Sequence, residues 1–337
     1  MVSPPTPSTS DDAAIVTRGL SKRYGAVSAL ADLSLTVPRG LIYGFLGPNG
    51  AGKTTTIRLL MGFIRPSAGS AVVNRHDVWR EGVAARRDLG YLVGAEALYP
   101  EMSGRALLDH AAGLSGRAPA LRPLLLDALE LSQADLGRRL GTYSKGMRQK
   151  LALTAAFQHD PALLILDEPT DGLDPLIQRG FEEVLRGLRD RGRTIFMSSH
   201  DLAEVERTCA RVAVVRGGRL IAEETISGLQ RRHRRTARVV FAETAPVDEL
   251  RRLPGIDLLG VASEGREVAL AVGGEIGSLL RFLAAREVVD LLLPPPSLDD
   301  IFLGFYDQTG HGGRNGREPA GPAAPVADVK SPAGANR

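Results

Sequence analysis

The stretch GPNGAGKTT, Gly47 to Thr55, sets three glycines ahead of one lysine and a row of threonines, directly after the apolar run LIYGFL. Residues this small let successive backbone N–H groups turn into one concavity, and a helix opening at the lysine adds its positive end. Both features favour a polyphosphate. Gly47, Gly52, Lys53 and Thr54 match the spacing GxxxxGK[ST], with a strand before it and a helix after it, as the mechanism requires. The expected phosphate wrap is Gly47, Pro48, Asn49, Gly50, Ala51, Gly52, Lys53, Thr54 and Thr55, with Lys53 reaching the β and γ groups and the Thr54 hydroxyl on Mg²⁺. Hydrolysis also needs an acidic partner for the metal and a base for the attacking water. LLILDEP supplies both, since its buried strand delivers Asp167 to the metal side and Glu168 one residue further, where it orients and deprotonates water. A third apolar strand, TIFMSSH, ends in Ser198, Ser199 and His200, which makes His200 a contact for the γ phosphate.

These loops need a scaffold, and the chain is patterned to build one. AIVTRGL and ALADLSLTV alternate as antiparallel strands, separated by a turn around Tyr24 and Gly25. LIYGFLG, LGYLV, ALLILDEP, TIFMSS and RVAVVRGGRL are short and nearly all apolar, as strands covered on both faces must be. Between them, KTTTIRLLMGFI, GRALLDHAAGLSG, LRPLLLDALELS, KGMRQKLALTAAFQHD, LIQRGFEEVLRGLRDRG and DLAEVERTCA carry apolar residues at helical spacing. The expected class is α/β: a mostly parallel sheet with helices on its faces and ligands at the carboxyl ends of the strands.

Composition bounds the rest. Of the 337 residues, 43% are hydrophobic and 24% charged, which is ordinary for a globular chain, and no apolar run approaches the ~20 residues of a membrane-spanning helix. The start, MVSPPTPSTSDD, has neither cationic lead nor apolar segment, so no secretory signal is expected and a cytoplasmic setting is. Cys209 is the only cysteine, which excludes an internal disulfide and a cysteine-based zinc cage. A formal charge of +3 is too mild to argue for nucleic acid. Residues 1–12 and 307–337, rich in Pro, Gly, Ala and Ser, are expected to be disordered. Past a boundary near Leu229, residues 230–306 read as a smaller α+β unit. The cluster Arg231, Arg232, Arg234 and Arg235 reads as a solvated helix end at that junction.

The order of these residues resembles the ATP-binding subunit of an ABC transporter over Ala13 to Leu229. The deciding segment is YSKGMRQK, Tyr143 to Lys150, which opens a helix ahead of LLILDEP and is similar to the family's signature motif in the form found among drug and antibiotic exporters. The resemblance implies a P-loop NTPase fold with an antiparallel β subdomain and a helical subdomain. It implies that Ser144 and Gly146 touch the γ phosphate of ATP held by a second copy in a head-to-tail homodimer, that Tyr24 stacks on adenine, that Asp174 lies in the loop crossing the dimer interface, and that His200 is the switch histidine. It further implies an integral-membrane permease on a separate chain, attachment to the cytoplasmic face of the membrane, and export. Where the family carries a glutamine that contacts Mg²⁺, this chain has Gly94, with Glu96 two residues on as a substitute; Lys145 also departs from the standard signature. The C-terminal PSLDDIFLGFY resembles the closing segment of exporter ATPases. A soluble ABC-type ATPase acting on DNA or ribosomes is the alternative, disfavoured because the chain has one such loop and no sustained heptads. A kinase or GTPase switch is disfavoured by the signature segment and by the absence of NKxD.

Overall fold

The computed structural model describes residues 12–92, 94, 98–232, 235–273 and 276–294, with backbone alone at 230–232. In chain order it begins with β1 (Ala13–Tyr24) and β2 (Val27–Pro38), an antiparallel hairpin, then β3 (Ile42–Leu46), α1 (Lys53–Leu60), β4 (Ala68–Val73), β5 (His76–Asp77), α2 (Gly82–Arg86) and β6 (Leu89–Tyr91). Four helices follow, α3 (Gly104–Ser115), α4 (Arg122–Ala128), α5 (Gln133–Gly137) and α6 (Lys145–Phe157). The strand–helix alternation resumes with β7 (Leu163–Asp167), α7 (Pro175–Asp190), β8 (Thr194–Ser199), α8 (Leu202–Thr208), β9 (Arg211–Arg216), β10 (Arg219–Thr225) and α9 (Ile226–Arg232). The last described elements are β11 (Arg235–Phe241), α10 (Val247–Leu250), β12 (Ile256–Ala262), β13 (Glu267–Val272), α11 (Gly277–Ala284) and β14 (Val288–Leu292).

The strands form three sheets. A six-stranded sheet runs β10-β9-β3-β8-β7-β6, parallel at every pairing except the β9–β10 hairpin. β3 is buried at all five positions, as its apolar run demands of a central strand. A four-stranded antiparallel sheet, β2-β1-β4-β5, lies against it through one shared core in which Ile15, Leu33 and Val37 join Phe45, Ile57 and Phe196. The α3–α6 layer has its own core of Leu107, Leu108, Leu136, Leu140 and Leu151. β11 to β14 form a third, antiparallel sheet, order β12-β13-β11-β14, with a further core that includes Val239, Val268, Leu270 and Leu279. The α/β class with a mostly parallel sheet and a separate antiparallel sheet is as the residue pattern predicts.

Two elements differ from their sequence reading. RVAVVRGGRL is two strands, because Gly217 and Gly218 both take positive φ, 55° and 74°, and make the tight turn that folds β10 back on β9. The helix opened by Lys53 stops at Leu60, where Gly62 turns left-handed (φ 67°) and cannot continue it. Arg235 opens β11, whereas the side chains of Arg231, Arg232 and Arg234 lie outside the described residues, as does PSLDDIFLGFY.

Cys209 closes α8 and is buried, with its Sγ 3.0 Å from where a Cβ on Gly44 would stand. Burial pushes its thiol well above the usual range. A thiol reagent such as DTNB is expected to leave the native chain unlabelled and to modify one thiol per chain once denaturant is added, because only an exposed thiolate reacts. Absorbance at the reagent's thiolate band reads both.

Candidate nucleotide site

Register brings three strand ends together. β3 pairs with β8, Leu46 opposite Ser199, and β7 pairs with β8, Asp167 opposite Ser198. The next residues, Gly47, Glu168 and His200, therefore leave the sheet side by side at its carboxyl edge, where open parallel sheets take their ligands.

The glycines of the first loop are required by space. A Cβ at Gly47 would stand 2.4 Å from the Val215 carbonyl oxygen, and one at Gly52, whose φ is 103°, would stand 2.7 Å from the Ala29 oxygen. Gly52 caps α1 without a side chain, and Lys53, the first helical residue, turns inward to 5% exposure. Its ammonium donates to the Gly47 carbonyl oxygen at 2.6 Å and lies 3.1 Å from Glu168 Oε1. The other Glu168 oxygen is 2.7 Å from His200 Nδ1. One carboxylate thus spans a buried cation and a half-exposed imidazole.

Glu168 has φ 48°, rare for a residue with a side chain, and strain of this kind concentrates at functional sites. Its N–H is shared between the Ser198 carbonyl oxygen at 3.2 Å and Ser198 Oγ at 3.1 Å, and that hydroxyl in turn donates to Asp167 Oδ1. Thr54, Asp167 and Glu168 line one cavity of about 470 Å³, together with Gly94, Arg58 and Arg148. Pro48, Asn49, Gly50, Gly52, Lys53, Thr54 and Thr55 line a smaller one of about 170 Å³ beside Glu168. Gly94 brings no side chain to the first cavity, and Glu96 lies outside the described residues.

Other named positions stand apart from this cluster. Tyr24 ends β1 with its ring exposed and Lys22 Nζ 5.0 Å from the ring centre, outside both cavities. Ser144 caps α6, its hydroxyl accepting from the Met147 N–H at 3.2 Å, and faces solvent. Gly146 lies in the first turn of α6, where a Cβ would stand 2.9 Å from the Gly172 oxygen. Asp174 caps α7 by accepting from the Ile177 N–H at 3.1 Å. Lys145, by contrast, is paired with Asp171 at 2.8 Å, and both line the cavity of about 470 Å³ with Thr54, Asp167 and Glu168.

Ser198, which ties Asp167 to the Glu168 backbone, and Gln149, whose amide donates to the Pro169 carbonyl oxygen at 2.8 Å, carry no motif signal in the sequence. Both sit inside quoted runs, and what marks them is burial combined with a partner, which no spacing rule reports.

Residues 30–171 match the ABC transporter family model. The chain is 38% identical over 307 residues to a daunorubicin-resistance ATP-binding protein of Streptomyces coeruleorubidus, covering 87% of this chain and 95% of that one. The chain belongs to the ABC transporter family. It is also 37% identical to the Nod factor export ATP-binding protein I of Bradyrhizobium diazoefficiens, over 85% of this chain and 94% of the relative. A solved ATP-binding subunit of an ABC transporter superposes with a TM-score of 0.60 at 32% identity, covering 65% of this chain and 92% of that one. A dimeric cassette solved after hydrolysis with ADP and phosphate, 20% identical, shares the fold with a TM-score of 0.57 over 63% of this chain and 98% of its own. As an ABC transporter ATP-binding subunit, the chain binds and hydrolyses ATP.

Proposed function

We propose that two copies of this chain close head to tail on two ATP molecules and so drive export through a separate integral-membrane permease. The carrying observation is that one chain holds half a cage: Glu168 touches both Lys53 and His200, while Ser144 and Gly146, at a helix start, take no part in that cluster. A helix start of this kind suits the γ phosphate of a nucleotide held by another copy.

In this reading Lys53 exchanges Glu168 for the β and γ phosphates, and the freed carboxylate accepts the proton of the attacking water. His200, still beside Glu168, donates toward the γ phosphate, Tyr24 stacks on adenine, and Asp174 lies at the subunit boundary. Thr54 and Asp167 fit Mg²⁺: they offer two oxygen ligands on one cavity, which suits an ion that completes its shell with phosphate and water, and no group of three metal-binding side chains occurs among the described residues. Bound there, Mg²⁺ would neutralise charge on the phosphates.

The permease reading rests on relatives named for daunorubicin resistance, Nod factor export and fluoroquinolone export. It is supported by a groove of about 700 Å³ with apolar walls that include Leu107, Leu114 and the exposed Tyr99 and Val83. No helix among the described residues is long and apolar enough to cross a membrane. We further infer that residues 13–229 are the cassette, that 230–306 are an accessory unit, and that the complex works at the cytoplasmic face. Drug-like, antibiotic or lipid-like cargo fits the relatives; nucleic acid does not.

The test uses the buried Cys209 as a silent background. Asn49→Cys and Lys145→Cys in one chain are expected to crosslink two copies under mild oxidation only when a nonhydrolysable ATP analogue is present, seen as a dimer band on non-reducing gels. Crosslinking that ignores nucleotide, or none at all, would overturn the head-to-tail arrangement.

A further inference from the structure

Glu204 is a buried acid that the mechanism above does not use. It sits in the first turn of α8, a seven-residue helix capped by Asp201, yet it points inward and is 3% exposed. Its Oε2 accepts from Ser199 Oγ at 2.5 Å and its Oε1 accepts from Thr170 Oγ1 at 2.8 Å. No cation lies within ion-pair distance of it among the described residues, where the other deeply buried carboxylate of this region, Glu182, is paired with both Arg186 and Arg207. Burial and the nearby Asp201 and Glu182 charges push its carboxyl upward. An apolar side chain would be cheaper at such a position, since a buried carboxylate without a cation costs stability even when hydrogen-bonded.

The two hydroxyls it holds are the informative part. Thr170 lies two residues after Glu168 in the loop leaving β7, and Ser199, the last residue of β8, immediately precedes His200, which opens the loop leaving that strand. Those loops carry the two side chains that meet at 2.7 Å, Glu168 Oε2 and His200 Nδ1. Ser199 Oγ also accepts from the Asp201 N–H at 2.9 Å, so the carboxylate closes a ring from one loop, through α8, to the other. The strand register ends with Asp167 against Ser198 and the Glu168 N–H still bonds Ser198, whereas Thr170, further along, is joined to Ser199 through the Glu204 carboxylate.

We propose that Glu204 is a positioning residue: its carboxylate clamps the β7 loop to the β8 loop and thereby sets the distance between Glu168 and His200 for ATP hydrolysis. This rests on the reading that Glu168 and His200 act at the γ phosphate. Nucleotide affinity comes mainly from the Gly47–Thr55 wrap, which Glu204 does not touch, so the clamp acts on turnover rather than on binding.

Glu204→Leu, which fills the same buried space without accepting a bond, is expected to lower kcat for ATP about 10- to 100-fold, the penalty of misplacing a reacting group by about an ångström, with KM nearly unchanged. Glu204→Gln keeps an acceptor and an N–H donor for the two hydroxyls and is expected to recover most of the rate. Thr170→Val, a gentler change that leaves Glu204 in place, is expected to cost about 3- to 10-fold in kcat, the worth of one hydrogen bond. Glu204→Leu combined with His200→Ala is expected to be less than additive, because both act through one contact. Full turnover in Glu204→Leu or Thr170→Val, additivity with His200→Ala, or kcat and KM worsening together in proportion to lost thermal stability, would overturn the clamp. Glu168→Gln is the control for the underlying reading: normal turnover there removes that reading itself, whereas a dead Glu168→Gln beside a normal Glu204→Leu removes only the clamp.

Discussion

Glu168→Gln is expected to bind ATP at least as tightly as the parent chain while hydrolysing it about 10²- to 10⁴-fold more slowly, the usual worth of a general base. The two effects share one cause. The Glu168 carboxylate lies 3.1 Å from the Lys53 ammonium, so the phosphates must compete with it for their cation. An amide keeps the shape of the side chain, removes that competition and removes a negative charge beside the incoming phosphates. It also removes the proton acceptor. The expected result is a variant that accumulates as an ATP-bound dimer on size exclusion, with phosphate release close to background. A variant that turns over normally would show that Glu168 is not the base; one that fails to bind ATP would show that the Lys53–Glu168 pair supports the loop instead of restraining it.

Ser144→Asp is expected to abolish ATP-driven pairing and to cut turnover by about 10²-fold or more, since like charges facing each other across an interface cost several kcal/mol. The substitution is chosen for what it preserves. Aspartate caps a helix about as well as serine, so α6 keeps its bond from the Met147 N–H and the melting temperature should hold. Ser144→Asn, equally good as a cap and neutral, should retain much of the pairing. Nucleotide binding by the single copy should survive in both, because Ser144 stands outside the cavities that the Gly47–Thr55 loop lines. Light scattering with and without ATP, beside a binding isotherm, separates the two steps. Equal pairing by the aspartate and asparagine variants would mean that no phosphate approaches Ser144.

The chain's order of residues alone determined the chemistry on offer and the class of scaffold. Lys53 follows glycines at a spacing that a phosphate wrap requires, Asp167 and Glu168 end an apolar run, and that run is short and continuous because the strand is buried on both faces. Such signals are local, and local spacing is what a sequence displays. What tertiary structure decided is adjacency. β3, β7 and β8 are far apart in the chain, and only the order β3-β8-β7 with Leu46 opposite Ser199 and Asp167 opposite Ser198 sets Gly47, Glu168 and His200 on one edge. Nothing in the helical spacing of DLAEVERTCA distinguishes Glu204 from the exposed acids of other helices; its role in the fold arises from two hydroxyls, one in the loop after β7 and one at the end of β8. Likewise RVAVVRGGRL reads as one run until Gly217 and Gly218 fold it back, because an apolar pattern records burial and not direction. Burial and period are written residue by residue, whereas pairing between distant segments is settled by the packing of the whole core, and the site belongs to the second kind of information.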